Sequence, residues 1–153
     1  MNAVVDVQVA TDQAGVPEPL LITHWVETAL ADQAEAAELV IRIVDEAEGR
    51  ALNQRWRGGS GATNVLSFPA GAASEVVPGL LGDIVICAPL VAREAAEQGK
   101  PEPDHWAHLV IHGVLHLLGY DHVDEHDADV MEALEVEKLA GLGIPDPYVQ
   151  ESL

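Results

Sequence analysis

Three histidines raise the chemical question. In "HLVIHGVLHLLGYDH", His108 to His122, the residues His112, His116 and His122 stand at relative positions 0, +4 and +10, with Gly119 at +7. On a helix His112 and His116 are one turn apart, roughly 6 Å along the axis. They project from one face, so two imidazoles can reach a single ion at about 2.0–2.1 Å. His108 is in register too, but lies about 12 Å from His116, and one ion does not easily take both ends of that run. The third ligand therefore comes from outside the helix. Gly119 can adopt the left-handed conformation that reverses a chain, and "YD" then carries it to His122. Three neutral histidines leave a tetrahedral zinc ion one open position for water, the catalytic rather than the structural pattern.

The other histidines of the region, His105, His108 and His126, read as supporting or structural groups. His126, four residues after His122, is the alternative ligand. Asp121 either accepts an imidazole N–H or stabilises the turn. Buried in a strand pattern, Cys87 reads as an inert thiol, and Ser67 has no local partner that would make it a nucleophile.

The spacing of the trio is that of the H-E-x-x-H-x-x-G-x-x-H zinc-protease signature, but the position of the protease's general-base Glu is Gly113. Glycine can neither accept the proton of a zinc-bound water nor relay it to a leaving amine. Zinc alone still brings bound water toward a pKa near 7. A phosphodiester, already anionic, needs cationic stabilisation more than it needs a carboxylate, and Arg suits its oxygens. The missing Glu moves the reading from peptide toward phosphate. "GGSGA" lacks the Lys of a phosphate-binding G-x-x-x-x-G-K-[ST] loop.

These residues need a scaffold. "VVDVQVA" alternates, with Val5, Val7 and Val9 on one face of a half-buried strand. "LLITHWVETALADQ" repeats Leu21, Trp25 and Ala29 as a helix, and "ELVIRIVD" turns Leu39, Ile41 and Ile43 inward as a second strand. Asp45 and Glu48 resemble a capping box opening the helix "EAEGRALNQRW". "TNVLSF" and "GDIVIC" read as strands, and the segment between them, with Pro69, Gly71, Pro78 and Gly79, as a loop. "PLVAREAAEQG" is a helix. Asp104 is expected to cap a long helix to Leu118, apolar around Trp106, Val110, Val114 and Leu117, with the histidines on the remaining stripe and Gly119 as its stop. An acidic helix from Asp124 turns Val130, Met131 and Leu134 to the core. The expectation is an α/β fold in one domain, 1–153, with about four strands in a mixed sheet and about five helices. A crossover's length of chain between the first two strands predicts parallel pairing.

The chain has 153 residues, a single Cys and a formal charge of −19, with only 7 Lys and Arg against 26 Asp and Glu. One cysteine excludes a disulfide framework and fits a reducing cytoplasm. No run approaches the roughly 20 apolar residues of a membrane span, and the first residues lack a signal peptide's basic and apolar regions. The charge argues against a broad nucleic-acid-binding surface and leaves room for a local one at Arg50, Arg55 and Arg57.

At these motifs the chain resembles the YbeY family of bacterial metal-dependent endoribonucleases, or ribosomal RNA maturation factors. "HGVLHLLGYDH" is similar to the family's H-G-x-L-H-L-x-G-Y-D-H signature, and "LNQRWRGGSGATNVLSFP" to its L-N-x-x-x-R…T-[DN]-V-L-S-F-P segment. "LLGDIVIC" and the terminal "MEALE…DPY" also look like family features. The resemblance implies a zincin-like core, one zinc on His112, His116 and His122, and a catalytic role for His112 and for Arg57, which binds the scissile phosphate. It implies action on single-stranded RNA in 3′-end maturation of small-subunit ribosomal RNA and in ribosome quality control, with small-subunit ribosomal proteins as partners. A zinc peptidase or amide hydrolase, and a non-catalytic assembly factor with structural zinc, are the alternatives.

Overall fold

A computed structural model of the chain describes residues 2–31, 33, 36–59, 61–77, 79–121 and 124–148. The elements run β1 (Asn2–Ala10), α1 (Pro19–Leu30), β2 (Ala36–Val44), α2 (Glu46–Arg57), β3 (Val65–Pro69), α3 (Ala73–Val76), β4 (Leu80–Cys87), α4 (Ala88–Gln98), α5 (Glu102–Leu117) and α6 (Glu125–Gly141). The four strands form one mixed sheet in the order β1-β2-β4-β3. β1 pairs with β2, and β2 with β4, in parallel, whereas β3 runs antiparallel to β4 at the edge. The parallel pairing of the first two strands agrees with the sequence expectation.

Strand alternation divides the core between the two faces of the sheet. Leu39, Ile41, Ile43, Ile84 and Ile86 face α1 and α5 and build the larger cluster. Val44, Leu66, Val85 and Cys87 face the other way and pack with Leu52 of α2 and Leu90 of α4. Helix α5 buries Trp106, Val110, Val114 and Leu117 with most of its circumference, as a helix apolar nearly all round must.

Several local expectations need correction. The segment between β3 and β4 contains the four-residue α3, so the described residues hold six helices rather than about five. Helix α5 starts at Glu102 after Pro101, and Asp104 lies in its first turn instead of capping it; there its charge still complements the helix dipole. Asp45 makes no side-chain cap to α2. Its carboxylate accepts from the Thr11 hydroxyl, while Glu48 accepts two bonds from Arg42, at 2.5 and 3.0 Å. A carboxylate that finds a guanidinium gains more than one that reaches back to an amide. Val9, on edge strand β1, and Leu21 and Val130 are exposed rather than inward.

Candidate metal centre

The α5 register lines up His105, His108, His112 and His116, with successive ring centroids 6.3, 6.2 and 4.7 Å apart. The four have different surroundings. His105 is buried in the core and donates from Nε2 to Glu94 Oε1 at 2.9 Å, an oxygen that also accepts from Asn64 Nδ2 at 3.0 Å. That places it in a structural tie between α4, α5 and the approach to β3. His112 and His116 are the closest pair of rings, side by side on the half-exposed stripe.

Behind them stands a residue that the sequence reading passed over. Glu135 of α6 is fully buried. Its Oε1 accepts from His112 Nδ1 at 2.8 Å and from His108 Nε2 at 3.0 Å. Its Oε2 accepts from the Tyr148 hydroxyl at 2.8 Å, and His108 Nε2 also lies 3.2 Å from that hydroxyl. Burial alone would raise the Glu135 carboxyl, but the hydrogen bonds from His108 and His112 and their charges prevail and hold its pKa down to about 2. Tyr148 is pushed up, first by burial and then by the Glu135 charge, so it stays a hydrogen-bond donor. A signal for Glu135 was present: it stands four residues after Met131 and four before Leu139, both fully buried, in the core stripe of α6.

His108, His112 and Glu135 bring one donor atom each within 4.8 Å of one another, so this group could hold a metal ion. The chemistry fits: imidazole nitrogen and carboxylate oxygen are ordinary ligands of zinc and its neighbours. His122, the sequence-predicted third ligand, lies outside the described residues. The chain turns after α5, with Gly119 at a positive φ of 105° and Tyr120 N–H bonded to Leu115 O at 3.1 Å. Asp121 and His126 are exposed.

Arg57 closes α2, exposed, on the face of the sheet opposite α5, and no hydrogen bond joins it to the α5 histidines. From there the chain leads into edge strand β3, whose Ser67 Oγ donates to Gly113 O of α5 at 3.2 Å. That bond gives Ser67 a structural partner. Cys87 is buried, and burial pushes its thiol up, as an inert thiol requires.

The structure also gives the reason for Gly113. A Cβ there would meet two atoms of the Ile84 side chain at 3.1 Å, so the position after the first histidine is turned into the sheet. A larger side chain there would need Ile84 to give way.

A mixed sheet backed by a buried helix that presents paired imidazoles, with a carboxylate behind them and glycine at the protease's base position, fits a metal-dependent hydrolase. A sequence model of the family described as Endoribonuclease YbeY matches residues 9–143. The chain is 57% identical over 148 residues to an endoribonuclease YbeY of Pseudomonas putida, covering 95% of this chain and 93% of that one. It is 54% identical over 151 residues to that of Nitrosococcus oceani, covering 97% and 98%. The solution structure of TM1509 from Thermotoga maritima shares the fold with a TM-score of 0.58 at 24% identity, over 90% of this chain and 91% of that one. The chain belongs to the endoribonuclease YbeY family, and it is therefore a hydrolase that cuts RNA internally.

Proposed function

We propose that the chain acts as one domain, 1–153, that binds a zinc ion through His112, His116 and His122 and cleaves single-stranded RNA in the 3′-end maturation of small-subunit ribosomal RNA. The observation that carries the reading is the contact between the His112 and His116 rings, 4.7 Å apart, on a helix whose position 113 is closed by Ile84. Bound there, the ion would supply a Lewis acid that polarises a phosphoryl oxygen and lowers the pKa of water. His112 and His116 hold their imidazoles on one face because α5 is fixed by its buried arc. Arg57 supplies a guanidinium for the phosphate oxygens; the strand passes round the β3 edge, between the end of α2 and the α5 stripe. The attacking oxygen is that of water or of the RNA's own 2′-hydroxyl, and a 2′,3′-cyclic phosphate product identifies the latter.

No described helix is long and apolar enough to cross a membrane. We place the protein in the cytoplasm, at the small ribosomal subunit, whose proteins would position the RNA for so acidic a chain. A peptidase would need a base, and glycine stands at the protease's base position, packed against Ile84.

The test uses an end-labelled single-stranded RNA and a duplex control, with wild type, metal-stripped protein and Arg57→Ala prepared in parallel. Cleavage is expected from wild type, lost on stripping and restored by zinc. Arg57→Ala should fall by about 100-fold, the order of one charge-stabilising donor. Equal cleavage by all three preparations would mean a contaminating nuclease and sink the assignment.

A further inference from the structure

We propose that Glu135 is a positioning residue for the metal centre: it fixes the proton of His112 on Nδ1 and thereby turns the Nε2 lone pair toward the ion, with Tyr148 steadying the carboxylate. The proposal rests on the reading of His112 as a ligand.

An imidazole ligates through one nitrogen, and the hydrogen bond made by the other decides which nitrogen is free. In this structure His112 Nδ1 lies 2.8 Å from Glu135 Oε1. A carboxylate there can only accept, so the proton sits on Nδ1 and the lone pair on Nε2. Both Glu135 oxygens are already engaged, Oε1 by His108 and His112 and Oε2 by Tyr148. To be a ligand itself, Glu135 would have to surrender one of these bonds and bring an oxygen to about 2.0–2.2 Å from an ion.

A purely structural role accounts poorly for the charge. The neighbours on the α6 stripe, Met131 and Leu139, are fully buried and apolar, and an apolar side chain at 135 would avoid the desolvation that a buried carboxylate carries. The three donors have to be provided from two other segments, α5 and the chain after α6. Such an arrangement persists where the carboxylate does something that an apolar group does not, and orienting a ligand is the function its geometry performs.

The experiment measures zinc affinity by competition with a chromophoric chelator for wild type, Glu135→Gln, Tyr148→Phe and His116→Ala. The His112 tautomer is read by ¹⁵N NMR in the metal-free wild type. The expected results are an Nδ1–H tautomer and a 10- to 100-fold weaker zinc affinity in Glu135→Gln, the range found when outer-shell partners of ligands are removed. Tyr148→Phe should lose a few-fold, because it frees only one oxygen. Should Glu135→Gln fail to fold, the tautomer and Tyr148→Phe still decide. An Nε2–H tautomer, or unchanged affinity in both variants alongside loss in His116→Ala, would overturn the positioning role and leave the ligand set intact. Unchanged affinity in His116→Ala with loss in Glu135→Gln would instead make Glu135 a ligand beside His108 and His112, and the proposed ligand set would fail.

Discussion

His105 and His112 lie on one helix and are used in opposite ways by their surroundings. His112 is half-buried beside His116, whereas His105 is sealed against Glu94, with Lys100 and His108 also facing it. Burial lowers the His105 pKa from the usual 6.5, and the bond His105 donates to Glu94 only partly opposes it. Below 6.5 the unfolded chain therefore takes up a proton that the folded chain resists, so stability contributed here is full above that pH and is lost as pH falls toward the folded value. His105→Gln keeps a donor for Glu94 but does not titrate. The stability advantage of wild type over this variant, from urea midpoints, should shrink between pH 7 and pH 5.5. Parallel curves would show that His105 carries no such dependence. At this scale the sequence was legible where spacing alone decides, as for His112 and His116. For Glu135 spacing could signal burial but not its partners, which lie 23 and 27 residues earlier and 13 later in the chain. Its acidic neighbours on α6 gave it the look of solvated surface.

Two glycines set how closely the elements approach. Gly82 of β4 has φ 137°, and a Cβ there would fall 2.1 Å from Phe68 O. It pairs with Leu39 on β2 just after a register shift that passes over Leu81, and stands opposite Pro69 on β3, so beside the bulge β3 approaches β4 closely at a residue without a side chain. Gly82→Ala should cost on the order of 2–4 kcal/mol, a backbone clash added to a strained φ, read as a lowered denaturant midpoint at unchanged slope. Gly113 offers a finer balance. Alanine in a helix interior gains about 1 kcal/mol over glycine, while overpacking against Ile84 costs about 1–3 kcal/mol, so Gly113→Ala should be neutral to destabilising. Ile84→Val removes Cδ1, one of the two atoms at 3.1 Å. In its background the alanine should become less costly; a double-mutant cycle with zero coupling would mean that helix and strand do not limit each other. The alternation of β2 was readable because its inward residues are all apolar. Strand order was not, since β4 inserts between β2 and β3 and its pairing with β2 carries a register shift that "LLGDIVIC" does not announce.

The molecule as a whole is an acidic body with one basic corner. Of the seven Lys and Arg residues, Arg42 is paired with Glu48, Arg93 with Glu46, and Lys138 is buried with its ammonium on Ala31 O at 2.7 Å. Lys100 is half-buried, and burial lowers its pKa. Arg50, Arg55 and Arg57 remain, all exposed and all on α2, with Arg55 lying over the exposed Trp56 ring at 5.2 Å from its centroid. Each phosphate contact to a single strand contributes about −0.7 to the slope of log affinity against log salt, so three arginines allow about −2 at most. The charge of −19 repels a polyanion at the same time. Added salt screens that repulsion over a Debye length of about 8 Å at physiological ionic strength, which pulls the slope toward zero. Fluorescence anisotropy on a single-stranded RNA, with chelator present to stop turnover, should therefore give weak binding and a slope between 0 and about −2. Arg57→Ala should flatten it by less than about 1. A slope steeper than about −3 would require a cationic surface beyond α2. A slope in the expected range means that the three α2 arginines alone draw the RNA only weakly, in keeping with the delivery by a ribosomal partner proposed above.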